Sequence, residues 1–285
     1  MKRLLYFFST SLIFAALYSG ATAQKAQQLF PQTPGMQTYT FRNSMSKNVA
    51  ATLDTIKMLG ITVLESSTNP NGLTPEAFRK LLEDRQMTSP SVGAGYDELV
   101  KDPAEIARKA KIIGASYVMA SWIPHKKEFT LEDAQKAATD FNNIGKILKE
   151  NGITFCYHTH GYEFVPYEDG TLFDYLVKNT DPEFVSFEMD IMWVFHGGAN
   201  PEKLLLKYPN RWKLMHLKDL RKGVKGDLTG GTPMENNVAL GIGQLDIPGI
   251  LKAAKKVGVT YYFIEDESPS FHEQLPQTLA YLKSL

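Results

Sequence analysis

Cysteine is almost absent from this chain, which contains a single one, Cys156, among 285 residues. One thiol excludes an internal disulfide framework and any metal site built from several thiolates. If the protein binds a metal ion, its ligands must therefore be oxygen atoms and imidazole nitrogens. The sequence supplies both, because it contains 31 acidic residues and six histidines.

The chain also lacks an excess of charge of either sign. It holds 31 basic and 31 acidic side chains, so its formal net charge is zero. Without residues 1–23, which are discussed below, 29 basic and 31 acidic residues remain, a net charge of −2. Nucleic acids bind proteins that carry clustered lysine and arginine. We therefore expect no nucleic-acid partner.

The one long apolar run of the chain lies at its start. Lys2 and Arg3 form a short positive region, and the apolar stretch Leu4–Tyr18 follows with three hydroxyl residues inside it. The segment Ala21-Thr22-Ala23 then supplies a small-x-small cleavage pattern. This order is typical of a secretory signal peptide. The alternative, a membrane anchor, needs roughly 20 apolar residues, which is more than this run provides.

We therefore predict a signal peptide over residues 1–23 and a mature domain over residues 24–285. Gln24, not a cysteine, follows the predicted cleavage site, so a bacterial lipid anchor is not indicated. The mature protein is expected to be exported and to have no membrane span. Its destination is the periplasm if the source is a Gram-negative bacterium, and otherwise the medium.

Short β-prone runs alternate with amphipathic stretches over the rest of the chain. The amphipathic stretches begin at helix-capping residues, as at Thr74-Pro75 and Asp102-Pro103. Several of them end at a glycine shortly before the next β-prone run. The predicted strands are Met36–Phe41, Ile61–Glu65, Thr88–Val92, Tyr117–Trp122, Ile153–His158, Val185–Asp190, Lys213–His216 and Tyr261–Glu265.

This alternation, which no internal linker interrupts, indicates one parallel α/β unit. A mature length near 250 residues and closure of the sheet without exposed edges favour a single (β/α)8 TIM barrel. The alternative is an open doubly wound sheet, which needs a glycine-rich phosphate turn after its first strand. Arg42–Met45 stand there instead, and Gly241-Ile242-Gly243 follows no predicted strand. We therefore predict the barrel and no nucleotide cofactor.

Acids and imidazoles concentrate at the carboxyl ends of the predicted strands, where the functional sites of TIM barrels lie. Charged groups beside apolar runs need a partner, and a divalent cation satisfies several of them at once. The side chains at these ends are Glu65, His125, His158, His160, Glu163, Glu188, Asp190, His216, Lys218, Asp219, Glu265 and Glu267.

Each of these residues also has a structural interpretation. Asp190 alone can cap a helix, His216 can be a hydrogen-bonded core histidine, and Glu65 can pair with a basic neighbour. His158 and His160 are more specific, because alternation along a strand puts both imidazoles on one side, about 7 Å apart. That spacing suits two groups that reach one metal ion or one substrate, with two packed histidines as the alternative.

Five segments of the chain resemble the xylose isomerase-like barrel superfamily, a group of sugar phosphate isomerases and epimerases with inosose dehydratase-like members. The resemblance extends from Gly35 to the last strand and is more specific for the superfamily than for a substrate. The segments are Tyr157–Glu163, Phe187–Trp193, Met215–Asp219, Leu240–Gln244 and Phe263–Glu267.

The resemblance implies one divalent ion held by side chains from four strand ends. Asp190, His216 and Glu265 stand at matching positions. Many relatives have a glutamate at the end of the fifth strand, where this chain has His158. We therefore predict Glu163 as the fourth ligand, with His158 as the alternative. Three carboxylates and one imidazole favour Mn²⁺ or Mg²⁺, with Co²⁺ or Zn²⁺ as alternatives.

Such an ion bridges a carbonyl and a neighbouring hydroxyl oxygen, and it stabilises the enediolate that forms when the α-proton leaves. We predict His158 and His160 as the proton-transfer groups. Lys218 is the predicted partner of an oxyanion or of a substrate hydroxyl group. Trp193 is predicted to support the sugar ring, with packing as the alternative, and Glu65 to contact the substrate.

These observations predict a metal-dependent sugar isomerase or epimerase. A lyase or dehydratase that uses the same intermediate is the alternative, and a non-catalytic sugar-binding barrel is the third hypothesis. Export and the lack of a P-loop or basic cluster point to a carbohydrate without phosphate: a sugar, keto-sugar, inositol derivative or oxidised glycoside. The segment Leu220–Gln244 is predicted to be a lid or substrate loop, and a homo-oligomer is left open.

Overall fold

Eight parallel strands close into a barrel in the computed structural model, which describes Leu29 and residues 34–285. Consecutive strands are neighbours around the barrel, and the last strand pairs with the first, so the predicted (β/α)8 TIM barrel is confirmed. The predicted signal peptide over residues 1–23 lies outside the described residues. The strands are β1 (Gly35–Gln37), β2 (Val63–Ser67), β3 (Thr88–Gly93), β4 (Tyr117–Ala120), β5 (Thr154–His158), β6 (Val185–Asp190), β7 (Trp212–Leu217) and β8 (Tyr261–Ile264).

The first strand is shorter than its apolar pattern predicts. β1 ends at Gln37, and a 3-10 helix over Thr38–Phe41 replaces the rest of the predicted strand. The side chain of Gln37 accepts a hydrogen bond from the backbone N–H of Tyr39 and thereby caps this turn. Of the aromatic residues after β1, Phe41 is therefore buried in a turn at the barrel mouth and not in the sheet, whereas Tyr39 is half-exposed.

Helices surround the barrel and follow the strands. The longest, Leu131–Glu150, begins at Thr130, whose side chain forms a reciprocal cap with Asp133. No helix in the described part of the chain is both long and apolar enough to cross a membrane. The helices are Arg42–Met45, Val49–Met58, Pro75–Glu83, Tyr96–Lys101, Pro103–Ile113, Leu131–Glu150, Leu172–Asn179, Ile191–His196, Pro201–Lys207, Ile247–Val257 and Phe271–Ser284.

The barrel interior has an apolar layer of its own, apart from the larger core between strands and helices. Cys156, Leu214 and Phe263 form this inner cluster. Side chains on one face of a strand recur every second residue. The residues two positions further along are His158, His216 and Glu265, and they therefore lie directly above the inner layer, at the carboxyl end of the barrel.

The long segment after β7 is anchored to the barrel at Asp219. The carboxylate of this residue accepts backbone N–H groups from Leu220, Gly241, Gly243 and Leu245. A short antiparallel pair, Asp219–Leu220 with Asn237–Val238, closes the segment at its base. Asp219 is thus a loop-organising residue, and four residues between 230 and 234 extend over the mouth of the barrel.

Candidate active site

Four buried side chains converge at the carboxyl ends of four neighbouring strands. They belong to His158 of β5, Asp190 of β6, His216 of β7 and Glu265, which directly follows β8. His158 Nε2 lies 3.1 Å from His216 Nδ1 and 3.5 Å from Asp190 Oδ2. His216 Nδ1 lies 3.3 Å from Glu265 Oε2 and 3.8 Å from Asp190 Oδ2. One ligand atom from each residue therefore fits within a sphere small enough to hold one cation. We call these residues the four-residue cluster.

The spacing and the unused atoms of the four-residue cluster fit a divalent metal ion. Ligands placed about 2.1 Å from a tetrahedral centre lie about 3.4 Å apart, which the four distances above bracket. Asp190 Oδ2 has no hydrogen-bond partner although it is fully buried. A buried carboxylate oxygen without a hydrogen-bond donor is costly, and a cation bound directly to it removes that cost. Two imidazoles and two carboxylates are a donor set that divalent metals accept.

The two carboxylate oxygens of Asp190 have different roles. Oδ1 accepts the backbone N–H groups of Met192 and Trp193, at 2.9 and 3.0 Å, and so caps the helix Ile191–His196. Oδ2 faces the cluster. Burial opposes ionisation of Asp190, but Lys218 and His158 outweigh it and lower the pKa of the carboxyl group. The cap and the ligand interpretations of this residue are therefore compatible.

The opposite nitrogen of His216 is held by carboxylates inside the barrel. His216 Nε2 lies 2.5 Å from Glu65 Oε2 and 3.2 Å from Glu188 Oε1. Burial alone would lower the pKa of His216, but Glu188 and Glu65 raise it well above its usual value. With the Nε2 proton directed at Glu65, a metal ion would have to displace the second proton from Nδ1, and the Nδ1 lone pair would then face the four-residue cluster.

Glu65 was predicted to contact the substrate, and the structure places it elsewhere. It is fully buried beneath His216 and is not part of the cavity wall. Besides His216, its carboxylate accepts hydrogen bonds from Gln37 Nε2 at 2.7 Å and Ser91 Oγ at 2.5 Å. Because these partners occupy both oxygens, we correct its assignment from substrate contact to a residue that orients His216.

Glu188 was predicted to lie near a strand end, but no role was predicted for it. It is fully buried, and neither of its carboxylate oxygens has a hydrogen-bond partner. Burial raises the pKa of Glu188 to about 8, and the charge of Glu65 contributes to this shift. The alternation of β6 explains its position, because Glu188 precedes Asp190 by two residues and faces the same side.

Lys218 lies behind the cluster and not in the cavity wall. Its ammonium group donates to Glu267 Oε1 at 2.5 Å and to Glu265 Oε2 at 3.0 Å, and it lies 3.6 Å from Asp190 Oδ2. Burial alone would lower the pKa of Lys218, but Glu265 and Glu267 raise it well above its usual value. Fully buried against the ring of Trp193, this side chain keeps the surrounding carboxylates ionised. Lys218 was predicted to contact a substrate oxyanion, but from this buried position it does not reach the cavity.

His160 and Trp193 line the cavity, as their predicted roles require. Their rings stack at a centroid distance of 4.7 Å. The ring centroids of His158 and His160 are 5.7 Å apart, which is shorter than the predicted 7 Å, because β5 ends at His158 and His160 follows it outside the strand. Burial lowers the pKa of His160 to about 3, and His158 and Lys218 add to the effect, so its imidazole is neutral near pH 7.

Glu163 lies outside the four-residue cluster, although it was the preferred fourth ligand. A turn begins after His160, where Gly161 has a φ of 95°, and Glu163 follows in the 3-10 helix Tyr162–Phe164. One of its oxygens accepts the backbone N–H of His160 at 2.8 Å. Burial raises the pKa of Glu163 to about 7. The alternative ligand, His158, takes the position in the cluster, and Glu163 supports the turn that carries His160.

A cavity of about 930 Å³ opens above the four-residue cluster. One end of it is formed by three residues of the cluster, His158, His216 and Glu265, together with His160 and Trp193. The remainder is formed by the loops that follow β1 to β4 and by the segment that begins at Gly230. Among the lining residues that the structure describes, Arg42 is the one lysine or arginine. The sequence analysis gave no role to the residues that line this second half, because most of them are hydroxyl, amide and aromatic side chains in loops.

The closed (β/α)8 barrel, with a His/Asp/Glu cluster and a cavity at its carboxyl face, defines a TIM-barrel protein whose candidate site lies where the active sites of TIM-barrel enzymes lie. More specifically, the chain belongs to the xylose isomerase-like TIM barrel family, whose sequence model matches residues 53–285. This match confirms the resemblance that the five segments indicated.

Individual relatives are similar over less of their length. Inosose dehydratase 2 of a Bacillus cereus strain is 35% identical over 100 residues, which are 35% of this chain and 33% of that protein. The chain thus spans about a third of the length of this curated relative.

Solved structures share the fold. A sugar phosphate isomerase/epimerase from Parabacteroides distasonis ATCC 8503 has a TM-score of 0.69 at 24% identity and covers 89% of this chain and 96% of its own. The IolI protein with a bound zinc atom has a TM-score of 0.69 at 14% identity, with the same coverages.

Proposed function

We propose that this protein is an enzyme that binds one divalent metal ion through His158, Asp190, His216 and Glu265 and moves a proton next to the carbonyl group of a carbohydrate. The observation that carries this proposal is the convergence of four buried ligand atoms within 4.8 Å of one another. A bound divalent cation polarises a substrate carbonyl and so acidifies the neighbouring C–H group.

The donor set of the four-residue cluster changes the preference among metals. With His158 in place of Glu163, the site has two imidazoles and two carboxylates, not three carboxylates and one imidazole. Imidazole ligands suit transition metals, whereas Mg²⁺ takes oxygen ligands. We therefore propose Mn²⁺, Co²⁺ or Zn²⁺ ahead of Mg²⁺.

We assign the proton transfer to His160. Its ring lines the cavity beside the four-residue cluster, is not itself part of that cluster, and is fixed by stacking on Trp193. A neutral imidazole is able to accept a proton from carbon. His158 moves from proton transfer to metal binding in this proposal. Lys218 acts as a positioning residue, because it holds Glu265 and Glu267 in place.

Dehydration is the reaction that we propose first. Of the histidines in the cavity wall, His160 is the one outside the four-residue cluster, so the described site offers one free imidazole base. In the elimination, His160 takes the α-proton, the C–O bond at the β-carbon breaks, and the resulting imidazolium gives the proton to the departing hydroxide, so that water leaves. A single base also serves 1,2-isomerisation, whereas epimerisation needs a proton donor on the opposite face of the substrate. The relative named inosose dehydratase supports elimination. Isomerisation at the same site is the second candidate.

The substrate in this proposal carries no phosphate. The single arginine of the cavity wall, Arg42, already donates to the carbonyl oxygens of Tyr39 and Glu267. A phosphate in the described cavity would thus lack a free cationic partner. We also propose that the protein is exported. Mass spectrometry of the periplasmic or secreted fraction should then find a mature protein that begins at Gln24.

Metal analysis and isotope exchange test this function together. Protein dialysed against Mn²⁺, Co²⁺ or Zn²⁺ should retain one equivalent, and His216→Ala should retain none while its circular dichroism spectrum stays that of a barrel. Proton NMR in D₂O with inososes and keto-sugars should show loss of water for a dehydratase, and exchange with rearrangement but no loss of water for an isomerase. Native metal retention by His216→Ala would refute the ligand assignment.

A further inference from the structure

The cavity has two halves that differ in chemistry. The proposed metal ligands come from β5 to β8, which are four adjacent strands, and they occupy one side of the mouth. The loops after β1 to β4 line the other side, with no residue of the four-residue cluster among them. At about 930 Å³ the whole space lies near the upper end of the roughly 300–1,000 Å³ that pockets for drug-sized ligands span. A single small sugar at the cluster would leave the second half to solvent.

Trp122 forms a rigid aromatic surface in this second half. It follows β4, lines the cavity, and is 40% exposed, whereas Trp193 and Trp212 are buried. The ring of His125 stacks against it at 4.8 Å, and Tyr162 packs at 4.7 Å. Its partners fix the indole ring while much of its surface stays uncovered. A large, fixed and exposed aromatic ring beside a site indicates contact with a ligand.

The loops after β1 and β2 complete the second half with an aromatic ring, one arginine and several neutral polar groups. Tyr39 is 49% exposed and lies over the guanidinium of Arg42 at 4.8 Å. Because Arg42 also donates to two backbone carbonyl oxygens, it is fixed beneath the tyrosine ring. The other lining groups there are hydroxyl and amide side chains of Ser66, Ser67, Thr68, Asn69 and Asn71. Aromatic faces together with neutral hydrogen-bonding groups match the apolar faces and peripheral hydroxyls of a sugar ring.

We propose that this half is a subsite for a second sugar ring, so that the substrate is a disaccharide and not a free monosaccharide. The reacting ring lies at the four-residue cluster, and the second ring stacks on Trp122. Two successive ring contacts, 5.7 Å from His158 to His160 and 5.0 Å from His160 to Trp122, connect the two positions. The inference rests on the proposed function for the position of the reacting ring, but binding at Trp122 is measurable without turnover.

Tryptophan fluorescence tests the subsite directly, because Trp122 is the exposed one of the three tryptophans. Cellobiose, lactose and trehalose are each compared with glucose as ligands of the full-length mature protein. At least one disaccharide should shift the emission to shorter wavelength and protect it from acrylamide quenching, and glucose should do neither at the same occupancy. Calorimetry on the same samples gives the affinities.

The matched variants are Trp122→Ala and Leu206→Ala. Leu206 is 41% exposed on the helix Pro201–Lys207 and is not part of the cavity wall. Trp122→Ala should weaken disaccharide binding about 3- to 10-fold, which is the range expected for loss of one stacked ring, and should leave glucose binding unchanged. Trp122→Phe should restore part of the loss, because it restores an aromatic face. Leu206→Ala should bind every ligand as the wild type does.

The proposal is overturned if no disaccharide binds more tightly than glucose or protects Trp122, or if Trp122→Ala weakens glucose binding equally. Phenyl β-glucoside is tested separately as a ligand in the same fluorescence experiment. If it alone protects the indole, the second unit is an aromatic aglycone and the disaccharide assignment is wrong. His216→Ala separates this inference from the function. Disaccharide protection in that variant supports the subsite even if metal-dependent turnover is never found.

Discussion

At the scale of single residues, the site depends on how each side chain divides its atoms between two partners. His216 places Nε2 against Glu65 and Nδ1 in the four-residue cluster. A carboxylate behind a metal-binding histidine fixes the tautomer and the ring orientation, and raises the basicity of the coordinating nitrogen. Glu65 is in turn fixed by Gln37 and Ser91, so its geometry is determined inside the barrel and not by solvent.

Glu65→Gln should therefore weaken metal binding without unfolding the protein. The amide keeps the shape of the carboxylate but loses its charge, so Nε2–H donation from His216 is weaker. Loss of such a partner typically reduces metal affinity about 10- to 100-fold. Competition with a chromophoric chelator measures the change. Glu83→Gln, at an exposed i,i+4 ion pair, is the control and should bind metal as the wild type does. Wild-type affinity in Glu65→Gln would contradict the positioning role.

The residues of the candidate site could be predicted only in part from sequence. Asp190, His216 and Glu265 end apolar strands, and strand alternation with barrel closure is sufficient to bring them together. The choice between His158 and Glu163 depends on the turn after β5, whose geometry is set by tertiary packing around Gly161. Glu65 fails for a different reason. The predicted strand ends at Glu65, whereas β2 continues to Ser67, so the side chain of Glu65 lies beneath the cavity and not at its wall.

At the scale of the elements, Asp174 joins two helices of the outer layer. It forms a reciprocal cap with Thr171 at the start of the helix Leu172–Asn179. The same carboxylate accepts hydrogen bonds from Lys207 Nζ at 2.6 Å and Tyr208 Oη at 2.5 Å, at the end of the helix Pro201–Lys207. Burial opposes ionisation, but Lys207 and Tyr208 outweigh it and lower the pKa of Asp174.

Asp174→Asn should destabilise the protein by about 1–2 kcal/mol at pH 7, because it loses the charged cap and the charge-assisted bonds. The folded-state pKa of Asp174 is lowered, so its contribution is fully present above the unfolded value of about 3.9 and is lost as pH falls through the folded value. The difference between wild type and variant should therefore shrink below about pH 4. Urea unfolding across this pH range measures the difference in the free energy of unfolding.

The control variant is Asp169→Asn, at an exposed ion pair, which should change the free energy of unfolding by less than about 0.5 kcal/mol at any pH. An equal loss in both variants would contradict the assignment.

The elements themselves were largely predictable, and the exceptions share a cause. Seven of the eight barrel strands lie where short apolar runs between helix signals place them, because burial on both faces of a parallel strand leaves a continuous apolar pattern. The predicted end of the first strand is wrong, because Thr38–Phe41 are apolar or β-prone and so look like a continuation of the strand. The side chain of Gln37 caps a turn instead, and such a local hydrogen bond competes with the sheet.

At the scale of the whole molecule, the barrel separates the proposed metal site from the proposed subsite for a second sugar ring. Strands β5 to β8 carry the charged cluster, and the loops after β1 to β4 carry mostly neutral and aromatic groups on the opposite side of one cavity. The segment after β7 is anchored separately from the cluster, by Asp219. Residues that recognise a substrate can thus vary without disturbing the cluster, which rests on the inner apolar layer of Cys156, Leu214 and Phe263.

The stability of the whole barrel should depend on metal ions through the four-residue cluster. Without an ion, Lys218 still balances part of the charge of Asp190 and Glu265, so we expect chelator-treated protein to remain folded. An ion at 100 times its dissociation constant stabilises the folded state by about 2.7 kcal/mol, which raises the Tm of a domain of this size by about 5–10 °C. Calorimetry of chelator-treated protein with and without added Zn²⁺ or Mn²⁺ measures this shift. His216→Ala should show no shift, and Glu83→Gln should show the wild-type one. An identical shift in His216→Ala would mean that the stabilising ion binds elsewhere on the molecule.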